Sequence, residues 1–146
     1  EVCGCEEKNP YSAEIGKLAS AYASAEVPLI TLVTGAAYGS VFSVLGSKSI
    51  GADIVFALED AKISCLNAKS AVALLWNDKI SADVSREALE EKWNETVANP
   101  FEAAKAGEVD DIIEKGEIRQ RLASAVMMLS SKNAETPYRR HANMPL

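Results

Sequence analysis

The sequence has few of the side chains on which nucleophilic enzymes and metal sites depend. It contains one histidine, His141, and three cysteines, Cys3, Cys5 and Cys65. A histidine this close to the C-terminus is more often structural or exposed than catalytic, so a Ser-His-Asp or Cys-His mechanism is not expected. The cysteines form neither a paired pattern nor a C-x-x-C pair, which argues against a disulfide scaffold and a zinc site. We therefore expect no metal and a reducing, cytoplasmic location.

Long apolar runs and an excess of basic charge are missing as well. The longest apolar run, residues 27–33, is far too short to cross a bilayer. Fifteen Lys and Arg stand against 21 Asp and Glu, which gives a formal net charge of −6. That balance argues against a protein that binds nucleic acid along its phosphates. An anionic ligand would need a local site.

What the chain does contain is typical of one ordinary globular domain. Its 146 residues are 48% hydrophobic, 25% charged and 6% aromatic, so disordered and low-complexity classes are excluded. This length is enough to bury a core without disulfides or metals. The chain opens with Glu1 rather than Met and has no signal-peptide pattern, so we expect its first residue to be a cut or processed end.

Helices and short strands alternate along the chain, which predicts an α/β fold with crossover connections. Ser12, Ser85 and Asn99 are the predicted N-caps, and a strand-to-helix turn is predicted at Asn67. The predicted helices cover residues 12–25, 40–50, 68–76, 85–98, 99–107 and 117–132, and the predicted strands cover residues 28–34, 53–58, 62–66 and 109–113.

Two of these elements have patterns that predict how they pack. Residues 28–34 are continuously apolar and β-branched, which is typical of a parallel strand buried on both faces. The last helix has an apolar stripe at helical spacing, formed by Ile118, Leu122, Val126 and Leu129. We expect that stripe to face the core or a partner.

Adjacent carboxylates are the remaining candidates for side-chain chemistry. Glu90-Glu91 and Asp110-Asp111 point to different faces of a helix or strand. We therefore expect these side chains to be solvated rather than to share a proton or a metal ion.

The turn at residues 35–39 is a candidate site built from backbone groups. It follows a buried strand and opens a helix, so the amides of Gly39 and Ser40 lie where helix N-terminal N–H groups lack partners. Such donors hold an oxyanion without a charged side chain. Gly35 and Ala36 leave room for a ligand to approach. The alternative is that the glycines only ease a tight turn.

Several separate motifs carry a family resemblance. Residues 25–48 read AEVPLITLVTGAAYGSVFSVLGSK; later segments read AD at 52–53, AKI at 61–63, NPFEAAKAGEVDDII at 99–113 and PYRRHANMPL at 137–146. In this order they resemble the carboxyltransferase family of biotin-dependent acyl-CoA carboxylases and related decarboxylases, of the propionyl-CoA carboxylase beta type. The resemblance covers essentially the whole chain.

The resemblance implies a particular fold and organisation. Family members consist of two crotonase-like halves, built as crotonase/ClpP-like spirals of short strands and helices. This chain resembles most of the second half, beginning within a motif similar to VD-V-PGF at residues 1–5. We therefore expect residues 1–146 to be a single C-terminal carboxyltransferase domain, truncated at its N-terminus. The implied partners are an N-terminal half and further copies in a homo-oligomer.

The resemblance also implies a function. Such enzymes move a carboxyl group between carboxybiotin and an acyl-CoA, and the second half binds biotin held on a carrier protein. The active site forms between the second half of one subunit and the first half of its partner. By position, Gly39 and Ser40 would hold the biotin ureido oxygen. Ser43 falls at the acyl-pocket position.

The predicted substrate-binding set is Gly35, Ala36, Tyr38, Ser43 and Asn67. Several of these positions depart from the family pattern. Gly35-Ala36 replaces a basic pair, Asn67 opens a turn that is glycine-rich in the family, and a serine follows Gly39 in place of a second glycine. These departures mark a divergent branch.

Two other classes of function stay open. A non-catalytic assembly subunit would keep the family's interface without its ligand site. Another crotonase-like acyl-CoA enzyme, such as a hydratase or a thioester hydrolase, would need a carboxylate or a histidine close to the turn. The sequence near the turn offers neither.

Overall fold

Two small parallel sheets and the helices around them make up the structure. A computed structural model describes residues 10–80 and 84–132. The strands are β1 (Ile30–Val33), β2 (Ala36–Tyr38), β3 (Ile54–Leu58), β4 (Lys62–Ser64) and β5 (Asp111–Ile113). The helices are α1 (Pro10–Ala23), α2 (Ser40–Val44), α3 (Ala68–Leu75), α4 (Arg86–Thr96), α5 (Pro100–Lys105) and α6 (Ile118–Leu129). Short 3-10 turns lie at Lys48–Ile50 and Asn77–Lys79.

Every strand pair is parallel among the described residues. One sheet has the order β1-β3-β5, with Ile30 opposite Ile54 and Phe56 opposite Asp111; the other pairs β2 with β4. Parallel neighbours need crossover connections, and here helices supply most of them. The predicted α/β class with short parallel strands is therefore confirmed.

Strand β3 is the centre of the core. Val55 and Ala57 face a cluster that includes Ile63 and Val109. On the opposite face, Phe56 and Leu58 pack with Ile113 of β5 and Ala125 of α6. Residues that alternate along one strand thus contribute to two separate apolar clusters, as strand geometry requires.

Strand β1 does not have the burial that its sequence predicts. All four of its residues are half-buried rather than buried on both faces. The reason is its place in the sheet, since β1 pairs only with β3 among the described residues and lies at the sheet edge. Its apolar pattern indicates a strand correctly, but neighbours decide how much of it is covered.

Three helix starts were predicted correctly, two from the caps Ser85 and Asn99 and one from the turn at Asn67. Ser85 Oγ accepts the Ala88 N–H at 3.2 Å, and Asn99 Oδ1 accepts the Glu102 N–H at 2.9 Å. Asn67 Oδ1 accepts the Ser70 N–H at 2.7 Å. The prediction of Ser12 as a cap is wrong, because α1 begins at Pro10, where the fixed φ of proline suits a first turn.

The helix predicted over residues 40–50 is shorter. Helix α2 ends at Val44, and the chain turns at Gly46, where φ is 64°. A side chain at Gly46 would collide with Thr31 Oγ1, which donates a 2.7 Å hydrogen bond to the Gly46 carbonyl. The segment after α2 therefore lies against β1 instead of continuing as a helix.

The apolar stripe of α6 differs by one residue from the prediction. Val126 is 58% exposed, whereas Ala125 is 2% exposed and packs against Phe56 and Leu58. Ile118 and Leu122 pack there as predicted. Both 125 and 126 fit the helical spacing from Leu122, and the smaller side chain is the one that faces the sheet.

Some predictions concern residues outside the described ranges, namely Cys3, Cys5, His141, the motif at 1–5 and the segment 137–146. Cys65 is a free, exposed thiol. Across residues 10–80 and 84–132, no group of His, Cys, Asp and Glu is arranged to hold a metal ion. No helix in these ranges has the length and apolarity needed to cross a membrane.

Candidate functional site

Gly39 joins β2 to α2 in a backbone conformation that favours glycine. Its φ of 57° and ψ of −125° lie in a region that L side chains rarely adopt. Gly35, at the other end of the turn, has no such requirement, and an added Cβ there would meet no atom within 4 Å. Only one of the two predicted turn glycines is therefore demanded by the local backbone.

The residues between these glycines form a strand that the sequence interpretation missed. Tyr38 of β2 lies opposite Ser64 of β4, and the Gly39 N–H continues this pairing by donating to the Ser64 carbonyl. That hydrogen bond is long, at 3.4 Å. One of the two predicted oxyanion donors thus already has an acceptor in the chain.

The Ser40 and Val41 amides are the first two of α2. The first N–H groups of a helix have no intrahelical acceptor. Neither amide donates to another backbone or side-chain acceptor within the described residues. Ser40 agrees with the prediction, whereas Val41 was missed because the pairing of Gly39 with β4 depends on a three-residue strand hidden in the turn.

A cavity of about 390 Å³ lies between the end of β1 and α2. Gly35, Ala36 and Val41 line it, whereas the predicted donors Gly39 and Ser40 are not among its lining residues. Most of the other lining side chains are apolar, including Phe42 and Leu45. An apolar ligand in this cavity would lie against α2, close to Val41.

The other predicted site residues do not line this cavity, and each has a structural contact. Tyr38 packs on the cluster that contains Ala71 and Trp93, and burial raises the pKa of its phenol. Ser43 Oγ donates to the Gly39 carbonyl at 3.1 Å. Asn67 caps α3 through its side-chain oxygen.

Among the described residues that line the cavity, one carries a charge. Glu108, which follows α5, is the ionisable residue among the described lining residues. Sequence reasoning missed it because Glu108 lies far from the turn along the chain. The β3–β5 pairing places the segment before β5 beside the start of β3, whose Val55 also lines the cavity. Acid–base chemistry in the cavity would therefore depend on Glu108 or on the ligand itself.

Comparison with known proteins gives the same family over nearly the entire chain. A family model described as the carboxyl transferase domain matches residues 12–144. The carboxyltransferase subunit of propionyl-CoA carboxylase from Haloferax mediterranei is 40% identical over 97% of this chain. Methylmalonyl-CoA decarboxylase subunit alpha from Propionigenium modestum is 38% identical over 89% of it.

Solved structures show the same fold. The chain matches transcarboxylase 12S with a TM-score of 0.85 and 30% identity over 97% of its length. That protein was described as a hexamer assembly with hydrolysed methylmalonyl-coenzyme A bound. The chain spans 28% of that structure, 28% of the Haloferax relative and 26% of the Propionigenium relative. The predicted crotonase-like carboxyltransferase fold is confirmed, and the chain belongs to the carboxyl transferase domain family.

Proposed function

We propose that this chain is the biotin-side part of an enzyme that moves a carboxyl group between carboxybiotin and an acyl-CoA. In this proposal residues 1–146 act as one C-terminal carboxyltransferase domain. Family membership supports the reaction class, and the names of the relatives include both a carboxylase and a decarboxylase. The chain alone is expected to be inactive, because the relatives are more than three times longer.

The observation that carries the proposal is the set of free backbone donors at the start of α2. Gly39 and Ser40 are the proposed catalytic residues, with their N–H groups stabilising negative charge on a carbonyl oxygen. Ser40 is the stronger of the two, since the Gly39 N–H would have to exchange its long bond to the Ser64 carbonyl. Val41 adds a donor that shares the helix start with Ser40.

The residues at this turn fit a biotin ring system. Its ureido group presents a neutral oxygen, which needs N–H donors rather than a cation, and its fused rings need an apolar wall. Gly35, Ala36 and Phe42 line the cavity and supply the wall. Val41, which also lines it, and the preceding residue Ser40 are the proposed donors. When bound, carboxybiotin supplies the carboxyl group and its ureido nitrogen supplies the base. This chain therefore needs no histidine at the site.

Substrate binding is assigned in part to this chain and in part to a partner. Ser43 is proposed at the acyl pocket, and its bond to the Gly39 carbonyl would couple that pocket to the turn. Tyr38 and Asn67 are proposed to act behind it, through the packing and capping that hold β2 and α3. The net charge of −6 favours an N-terminal half that supplies the cations for the CoA phosphates.

The proposed partners are therefore an N-terminal carboxyltransferase half, a biotinylated carrier protein and further copies of this chain in a homo-oligomer. The proposed location is cytoplasmic. The test mixes the chain with a matched N-terminal half and a biotinylated carrier, and measures transfer of labelled carboxyl to acetyl-CoA and propionyl-CoA and from methylmalonyl-CoA. Transfer that avidin abolishes is the expected result. No transfer with any matched half would overturn the proposal and favour a non-catalytic assembly subunit.

Glu108 favours a second candidate, a crotonase-like hydratase. Its carboxylate lines the same cavity as Ala36 and Val41, where a hydratase would need a general base. Hydration of an enoyl-CoA by the mixed halves, lost in Glu108→Gln, would support this candidate. Avidin-sensitive transfer that persists in Glu108→Gln would exclude it.

A further inference from the structure

Two matching pairs of hydrogen bonds join the amino ends of the three strands of the larger sheet. Each pair is called a bracket below. Asp53, just before β3, donates its N–H to the Leu29 carbonyl at 2.9 Å and accepts the Leu29 N–H on Oδ2 at 2.7 Å. Asp110, just before β5, forms the same two bonds with Val55, at 2.9 and 2.7 Å. Each aspartate thus ties the start of its own strand to the neighbouring strand.

Two lysines complete these brackets. Lys48 Nζ lies 2.7 Å from Asp110 Oδ2 and 2.8 Å from the Asp53 carbonyl oxygen. Lys132 Nζ lies 2.8 Å from Asp53 Oδ2. The Lys132 and Asp53 side chains are 22% and 20% exposed, so solvent screens this pair less than an ordinary surface pair. The Lys48 side chain is 27% exposed and that of its partner Asp110 is 40% exposed, so this pair is screened more. Lys48 is the residue that contacts both brackets.

Lys48 also belongs to the segment that follows α2. It begins the 3-10 turn at Lys48–Ile50, directly after Ser47, whose hydroxyl donates to the Ser43 carbonyl at 2.7 Å. No residue of α2 is fully buried, and the half-buried Phe42 packs this five-residue helix against the core, so polar contacts of the segment after it add to its anchoring. The Lys48 ammonium is therefore a strong attachment of the α2 segment to β3 and β5.

We propose that Lys48 is a positioning residue for the turn at Gly39. By joining the end of the α2 segment to both brackets, it fixes the helix whose first amides are those of Ser40 and Val41. This role rests on the proposed function only in naming those amides as ligand donors. The attachment itself belongs to the chain and can be measured without any activity.

The test measures amide hydrogen exchange in the full chain, comparing Lys48→Met with the wild type. Exchange at residues 43–46 is expected to accelerate about tenfold, as for loss of a charge-assisted hydrogen bond, while residues 55–58 change less than about twofold. Lys48→Arg should restore most of the protection, because guanidinium keeps the charge and the donors. The matched control is Lys115→Met, which removes an exposed pair with Asp60 and should change neither segment.

Two results would overturn the proposal: equal acceleration throughout the chain, which marks a merely structural role, or no acceleration at residues 43–46. If Lys48→Met does not fold, Asp110→Asn gives the same comparison, since it keeps an oxygen for the Val55 N–H and removes the charge that Lys48 contacts. With an active mixture, Lys48→Met should lower kcat and leave the KM for acyl-CoA nearly unchanged. Failure of the mixture itself would count against the proposed function and leave the exchange result decisive for Lys48.

Discussion

The two ends of the β1–β3 strand pair differ in the groups that they present, charged side chains at one end and backbone amides at the other. At the amino end, Asp53 and Asp110 accept backbone N–H groups and pair with lysines, so charged groups bind the strands together. At the carboxyl end, the chain between Gly35 and Val41 has no charged side chain, and two amides at the start of α2 have no acceptor in the described ranges. The amino end thus binds the strands together, and the carboxyl end holds the amides that we propose as ligand donors.

The largest effect is expected from adding a side chain at Gly39, in the turn. Gly39→Val forces a β-branched residue into φ 57° and ψ −125°, which costs roughly 1–3 kcal/mol and displaces the amides that follow. We expect carboxyl transfer by the reconstituted enzyme to be lost and the urea midpoint of the chain to fall. Gly116→Ala is the matched control, because its Cβ would meet nothing within 4 Å and it lies outside the residues that line the cavity. Equal transfer by both variants would show that the turn does not act through its backbone.

Substitutions in the amino-end brackets should instead lower the free energy of unfolding. Asp110→Ala leaves the Val55 N–H without its 2.7 Å acceptor and Lys48 without a carboxylate, so we expect a loss of about 1–3 kcal/mol in the free energy of unfolding. Denaturant unfolding measures it. Asp60→Ala, which removes an exposed pair with Lys115, should lower the free energy of unfolding clearly less than Asp110→Ala does. If both variants lose a similar free energy of unfolding, the bracket stabilises the chain no more than a surface ion pair does.

Lowering the pH should weaken the contacts of Asp53 at the amino end of the sheet before it affects the turn at residues 35–39. Burial acts to raise the pKa of Asp53, but the Leu29 N–H and the Lys132 ammonium outweigh it and leave that pKa below its usual value. A carboxyl whose pKa is lowered by folding stabilises the chain above its unfolded pKa, and this contribution is lost as the pH falls through its folded pKa. Unfolding measured from pH 6 down to acid should therefore be steeper for the wild type than for Asp53→Asn. Identical slopes would contradict the assignment.

The smallest expected effect is at Glu108. If the backbone donors at the turn carry the reaction, Glu108→Gln should change carboxyl transfer less than about threefold, because a bound ligand rather than a carboxylate supplies the base. Steady-state rates with the same partner half measure this. Near-complete loss of transfer in folded Glu108→Gln would assign the chemistry to the cavity wall instead of the turn.

The sequence alone predicted features whose cause is local. Asn67, Ser85 and Asn99 were identified because a capping side chain and the helix it starts lie within a few residues. The glycine at 39 was identified for the same reason, since its backbone requirement is set at the turn itself. The order of motifs predicted the family, which the matched family model confirms.

Features that depend on distant contacts were not predicted. Strand β2 has three residues and is recognisable only by its pairing with β4, so Val41 was not considered as a donor. Asp110 is exposed, as expected, but the hydrogen bond that its carboxylate accepts from the Val55 N–H, 55 positions away along the chain, was not predicted. The end of α2 is likewise set by the contact between Gly46 and Thr31, which sequence periodicity does not reveal.

The most direct test of the central claim is avidin-sensitive carboxyl transfer by this chain mixed with a matched N-terminal half and a biotinylated carrier. Wild type and Gly116→Ala should transfer labelled carboxyl at similar rates, and avidin should abolish transfer in both. Gly39→Val, folded by circular dichroism, should give none. Transfer by Gly39→Val at the wild-type rate, or no avidin-sensitive transfer with any matched half, would contradict the claim that the turn at Gly39 is the biotin-side site.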